Sequence, residues 1–195
     1  MVLCLLVVAC EDGPSTQQKE IQEQKEMTAQ DILGNPDYLA ISYGGYRQNT
    51  RDIQPTVAEV KEDLKMLSAI GVRILRTYNT ELPFATTVLK AIRELKKEDT
   101  TFEMYVMLGA WIACHNSGSA YPNHEAENVE GNTGEIQRAI EMAKAYPDIV
   151  KIIAVGNEAM VKWAAAYFVQ PWVILKWVRH LQDLKAQGEL PKDLW

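Results

Sequence analysis

The stretch KIIAVGNEAM, Lys151–Met160, decides how the chain is read. A run of small and apolar residues leads into Gly156, Asn157 and Glu158. It reads as a buried strand that ends on an amide and a carboxylate. Side chains alternate along a strand. If Glu158 faces a cavity, Gly156, Ala154 and Ile152 share its face, and small residues below the carboxylate leave room for a ligand. Surrounding apolar groups would raise its pKa and keep it protonated, as a general acid must be. By spacing alone, Asn-Glu is a weak signal, because a lone strand-end Glu is more often a solvated or salt-bridged surface group.

Working outward, the same unit recurs. YLAISYGGY (Tyr38–Tyr46) reads as a first strand. Thr56 and Glu59 form a capping box for a helix carrying Val57, Val60, Leu64, Leu67 and Ile70, with Gly71 at its end. VRILRTY (Val72–Tyr78) is a second strand, and Pro83 opens a second helix with Val88, Leu89, Ile92 and Leu95 on one face. TFEMYVMLGAWI (Thr101–Ile112) holds a third strand, followed by a polar loop over 113–131. Asn132 with Glu135 is expected to cap a third helix carrying Ile136, Ala139, Ile140 and Ala143, ended by Pro147. VKIIAVGNE is the fourth strand. Pro171 starts a fourth helix that Gly188 stops, and LPKDLW approaches a fifth strand.

Strict alternation of strands and helices implies a parallel sheet with right-handed crossovers. An open doubly wound sheet and a (β/α)8 barrel both accept the pattern. SYGGYRQN carries neither a dinucleotide fingerprint nor a P-loop. The strand ends carry Tyr43, Arg76, Tyr78, Trp111, Asn157 and Glu158, a set suited to a hydroxyl-rich ligand. The expected fold is α/β: the N-terminal half of a (β/α)8 TIM barrel over 38–195, four βα units long. A full barrel normally takes about 250 residues. Half a barrel exposes its inner face and two strand edges, so the chain is expected to be a fragment of a longer protein or to take a complementary half barrel as partner. A small complete four-stranded α/β domain is the plainer alternative.

Composition narrows the function. The chain has 195 residues, 47% hydrophobic, and a net charge of −6. Nucleic acid is not an expected partner, because its binding needs clustered Lys and Arg. Residues 1–10, MVLCLLVVAC, are too short to span a bilayer and resemble the apolar core of a signal peptide. Val7, Val8 and Ala9 before Cys10 resemble a bacterial lipobox, which makes Cys10 the expected lipidation site. No Lys or Arg precedes the apolar run, and a buried N-terminal strand is the alternative reading. Residues 11–37 read as a polar tether. The expected location is the bacterial cell envelope, membrane-bound through a lipid anchor, or outside the cell if Cys10 is not acylated.

AISYGGY, GVRILRTYNTE, MLGAWI and IIAVGNEAM, in this order and one per unit, resemble glycoside hydrolase family 17. The resemblance runs from about Tyr38 to Trp195, and its most specific element is the Gly-Asn-Glu. It implies a retaining β-1,3-glucanase or a related glucanosyltransferase, with a β-glucan polysaccharide or oligosaccharide as partner and neither cofactor nor metal. By the same resemblance Glu158 is the acid/base and Asn157 hydrogen-bonds the sugar 2-hydroxyl. Tyr43, Tyr78, Arg76 and Trp111 are substrate contacts. Such enzymes pair two carboxylates about 5–5.5 Å apart. The family's nucleophile is a Glu near the seventh strand, and this chain has no equivalent: Glu81 follows the second strand and Glu103 starts the third. The isolated chain is therefore expected to be inactive. A non-catalytic carbohydrate-binding or assembly protein is the alternative from another class.

Other groupings carry weaker signals. His115, His124, Glu125 and Glu127 share a loop without the spacing of a helix-borne metal site. Cys114 reads as a plain thiol. Trp163, Tyr167, Phe168 and Trp172 suit either a sugar-stacking platform beside Glu158 or packing between loop and helix.

Overall fold

The structure is a computed structural model that describes residues 26–161 and 163–195. The signal-peptide segment with Cys10, and residues 11–25 of the expected tether, lie outside the described residues.

Four strands form one parallel sheet: β1 (Leu39–Ser42), β2 (Val72–Arg76), β3 (Tyr105–Ala110) and β6 (Val150–Val155). They lie side by side in chain order, β1-β2-β3-β6. A doubly wound sheet reverses its strand order at a switch point. No reversal occurs here, and the winding is compatible with part of a (β/α)8 barrel. Beyond β6, the Trp195 N–H donates to Lys151 O (3.0 Å) and the Ile153 N–H to Trp195 O (2.7 Å). The segment read as the approach to a fifth strand thus bonds to the β6 edge.

The helices form where their signals stand. α2 (Val57–Ala69) opens on a reciprocal capping box: the Glu59 N–H donates to the Thr56 hydroxyl, and the Thr56 N–H donates to the Glu59 carboxylate. α3 is Phe84–Glu98, and α5 is Pro171–Ala186, with Pro171 at its first position. All of them, with α4 (Val129–Ala145), press on one sheet face. Val60, Leu64, Leu89, Ile92, Ile136, Ile140, Val173 and Trp177 share a single core with Leu75, Val106, Leu108 and Ile153. The other face carries Ile74 and Tyr105, against which Ile32 packs, buried, from a one-turn helix α1 (Ala29–Ile32). The last part of the stretch read as a tether, from about Met27, therefore packs on the sheet.

Two features depart from the sequence reading. The polar loop after β3 contains an antiparallel hairpin, β4 (Cys114–His115) and β5 (Asn123–Glu127). Asn132 and Glu135 do not cap α4, because the cap is Asn128, whose side chain accepts from the Gly131 N–H. Asn132 and Glu135 sit inside the helix, buried, and bond to other segments. The Asn132 amide accepts from the Ala113 N–H (2.8 Å) and donates to Ala113 O (3.0 Å). Both residues turn inward because the chain leaving β3 has N–H groups that no strand partner satisfies.

Candidate functional site

The chain leaving β6 builds the centre of the site. Gly156 has φ +82°, and an added Cβ would lie 2.9 Å from Ile174 Cδ1 and 3.0 Å from Ala159 Cβ. Only glycine fits this turn. Its N–H still donates to Ala110 O (2.8 Å). Glu158 then stands outside the strand, itself in the left-handed region at φ +51°. Non-glycine residues there carry strain of order 1 kcal/mol, and such strain clusters at functional positions.

This turn changes the expected surroundings of Glu158. Strand alternation stops at Val155, so Glu158 does not continue the face of Ile152 and Ala154. The side chain is exposed, without the expected apolar enclosure among the described residues, and its Oε2 accepts from the Tyr167 hydroxyl at 3.2 Å. Burial, together with that bond to a carboxylate, lifts the Tyr167 pKa above its ordinary value. The Tyr167 ring leans on Trp111, with centroids 5.5 Å apart. Asn157 is buried, and its Oδ1 accepts from Arg76 Nη2 at 2.8 Å. An arginine only donates, so this bond sets which end of the amide is oxygen and leaves the NH2 as a donor. Arg76, Asn157, Glu158, Tyr167 and Trp111 thus form one line across the ends of β2, β6 and β3.

The chain is similar to a laminarinase. The solved structure is an endo-laminarinase from Formosa Hel1_33_131, 64% identical, with a TM-score of 0.84. The likeness covers 87% of this chain and 43% of that one, so this chain spans less than half the length of that laminarinase. No family model matches the chain, and no curated protein matches it.

The side chains of two expected contacts, Tyr43 and Tyr78, make no hydrogen bond to that line of residues among the described residues. Tyr43 is buried in the helix-facing core, its ring 5.4 Å from that of Phe84 and its hydroxyl donating to Asp63 Oδ2 at 2.7 Å. Burial and that bond push its pKa far up. Arg47 takes the rest of the Asp63 carboxylate, with Nη2 2.7 Å from Oδ1. Tyr43 thus ties the loop after β1 to α2. Tyr78 is half-buried and lines a cavity of about 190 Å³ with Tyr46, Arg51 and Phe84. Its place depends on Gly109, where an added Cβ would lie 2.3 Å from Thr77 O and 2.8 Å from Tyr78 Cα. The chain after β2 crosses directly over that glycine.

Of the other acidic residues, Glu103 accepts from the hydroxyls of Tyr38 (3.0 Å) and Tyr105 (2.8 Å) at the opposite end of the strands. Glu81 has an exposed side chain on the loop after β2. The hairpin braces the loop that carries Tyr167. The Gly118 N–H donates to Ala166 O (2.8 Å), His124 Nδ1 lies 2.8 Å from Phe168 O, and Gln170 donates to Glu125 (2.7 Å). Cys114 is buried, and burial raises its pKa, which suits a structural thiol. Among the described residues, no group of three His, Cys, Asp or Glu is placed to hold a metal, and no helix is long and apolar enough to cross a membrane.

The sequence reading missed Tyr167 as the partner of Glu158 and Glu135 as a loop clamp. Tyr167 stood in a run of aromatic residues equally suited to packing. Glu135 sat at a spacing that imitates a capping box.

Proposed function

We propose that this chain is the acid/base half of a retaining β-1,3-glucan hydrolase built as a (β/α)8 barrel of the family 17 type. The observation that carries the reading is the Arg76-oriented Asn157 beside Glu158 at the end of β6. The likeness to an endo-laminarinase supports it. Glu158 gives its proton to the glycosidic oxygen as that bond to the anomeric carbon breaks. A second carboxylate, from outside the described units, attacks the anomeric carbon from the other side. Water, deprotonated by Glu158, then displaces that carboxylate, and the anomeric configuration is retained. The Asn157 amide holds the sugar 2-hydroxyl, and Trp111 with Tyr167 offers apolar ring surface to a pyranose. Transfer to another glucan in place of water is the same chemistry with a different acceptor, and product length distinguishes the two.

On this reading the 195-residue chain binds β-1,3-gluco-oligosaccharides but hydrolyses none. Joined to the remainder of the Formosa laminarinase, it hydrolyses laminarin, and Glu158→Gln lowers that activity by about 10²–10⁴-fold. Undiminished turnover by the Glu158→Gln chimera, or normal turnover by the chain alone, rules the reading out. Cys10 is the proposed membrane anchor, on the strength of Val7–Cys10 and the polar stretch after it. Palmitate labelling that is unaffected by Cys10→Ser excludes it.

A further inference from the structure

We propose that Glu135 is a positioning residue that sets Trp111 against Tyr167 and Glu158. Its functional consequence rests on the glycan-binding reading above. Glu135 lies on α4, behind the strand ends, with a side chain only 5% exposed. Its Oε2 accepts from the Thr80 N–H (2.8 Å), the Thr80 hydroxyl (2.8 Å) and the Trp111 N–H (3.1 Å). Its Oε1 accepts from the Glu81 N–H (2.9 Å) and from Arg138 Nη2 (3.2 Å).

A buried carboxylate needs several donors to replace its water. Here three of the five are backbone N–H groups from two separate loops, one after β2 and one after β3. The carboxylate therefore fixes the two loops relative to each other, at the point where Trp111 leaves β3. From there the line is short: the Trp111 ring meets Tyr167 at 5.5 Å, and Tyr167 donates to Glu158. Among the described residues Glu135 makes no hydrogen bond to Glu158, and its hydrogen bond to Trp111 is to the backbone N–H, so its influence passes through the Trp111 backbone.

The oxygens divide the work, which makes the conservative variants informative. Glu135→Gln keeps an oxygen for Thr80 and Trp111, while its NH2 faces the Glu81 N–H and Arg138, both donors. Glu135→Asp keeps the charge but draws the carboxylate back by one methylene from every partner. The clamp thus predicts that Gln outperforms Asp, although Asp preserves the charge.

The test uses the chain labelled with 5-fluorotryptophan, with the Trp111 ¹⁹F resonance assigned by its loss in Trp111→Phe, and laminarihexaose as the probe. In the free protein, Glu135→Asp moves or broadens the Trp111 resonance and Glu135→Gln leaves it near its original position. Laminarihexaose binding falls about tenfold or more in Glu135→Asp and stays within about threefold in Glu135→Gln. Adding Trp111→Phe to Glu135→Asp costs nothing further, because both changes remove the same contact. An unmoved Trp111 resonance in Glu135→Asp, or losses that simply add, overturns the proposal. If Glu135→Asp melts without cooperativity, Glu135→Gln decides instead: a displaced Trp111 resonance there overturns the proposal and an unmoved one supports it. If the parent chain binds no laminarihexaose, the glycan reading fails, while the free-protein resonances still decide the clamp.

Discussion

Glu158 is held in a backbone conformation that disfavours it. The left-handed region costs a glutamate of order 1 kcal/mol, and asparagine tolerates it far better. Glu158→Asn is therefore expected to raise the melting temperature, even though it gives up the bond from Tyr167. Differential scanning calorimetry checks this, and a lower midpoint shows that the Tyr167 contact outweighs the strain. A stabilising change at a residue proposed to do the chemistry is the usual mark of a functional position. The place of Asn157 and Glu158 just past the end of a strand was legible in the sequence, through the Gly-Asn-Glu. Their orientation was not. Gly156 at φ +82° turns the chain before Glu158, and strand alternation does not carry past such a turn.

At the scale of the element, α4 and α5 depend on a carboxylate that sequence placed only in a polar loop. Glu127, at the end of β5, accepts from Lys176 Nζ (2.8 Å), Trp177 Nε1 (2.6 Å) and Asn132 Nδ2 (3.1 Å). Burial pulls its pKa upward, but these three donors together outweigh burial and hold it below its ordinary 4.5. The sign follows from linkage. A carboxylate with a depressed folded pKa stabilises the fold fully above about pH 4.5 and loses that contribution as pH falls through the folded value. The thermal midpoint of the parent chain is expected to drop on acidification below pH 4.5, and that of Glu127→Gln to drop less. Curves of the same shape for both proteins remove Glu127 from this role. The hairpin itself was invisible to periodicity. Two residues of β4 and five of β5 are too short and too polar to show an alternating pattern.

At the scale of the molecule, no further strand flanks β1 or β6 among the described residues, apart from the Trp195 backbone on β6. Leu39 and Ile41 on β1 are 51% and 41% exposed, and Trp195 beyond β6 is 52% exposed. Strand edges with exposed apolar side chains pair with other chains unless they are covered. The isolated 195-residue chain is expected to self-associate with rising concentration in sedimentation velocity. Leu39→Lys with Ile41→Lys is expected to reduce that association. A chain that stays monomeric at high concentration shows that the edges need no cover. On the proposed reading, the remaining units of a barrel cover both edges and wall in the exposed Glu158.

The sequence by itself determined the alternation of strands and helices, their order and most of their ends. Those signals are local: the capping box at Thr56, proline at position 171 and glycine at positions 71 and 188 act within a turn of chain. It also marked Asn157 and Glu158 as a pair. Only the tertiary structure decided what surrounds them. Tyr43 went to the core because Asp63 on α2 takes its hydroxyl. Arg76 met Asn157 because β2 and β6 flank β3, which places residues 81 positions apart within 2.8 Å. Glu135 became a clamp because unsatisfied backbone donors from two loops converge on one buried carboxylate. Periodicity and caps report what a residue does for its own helix or strand, while hydrogen bonds between elements depend on which elements packing brings together.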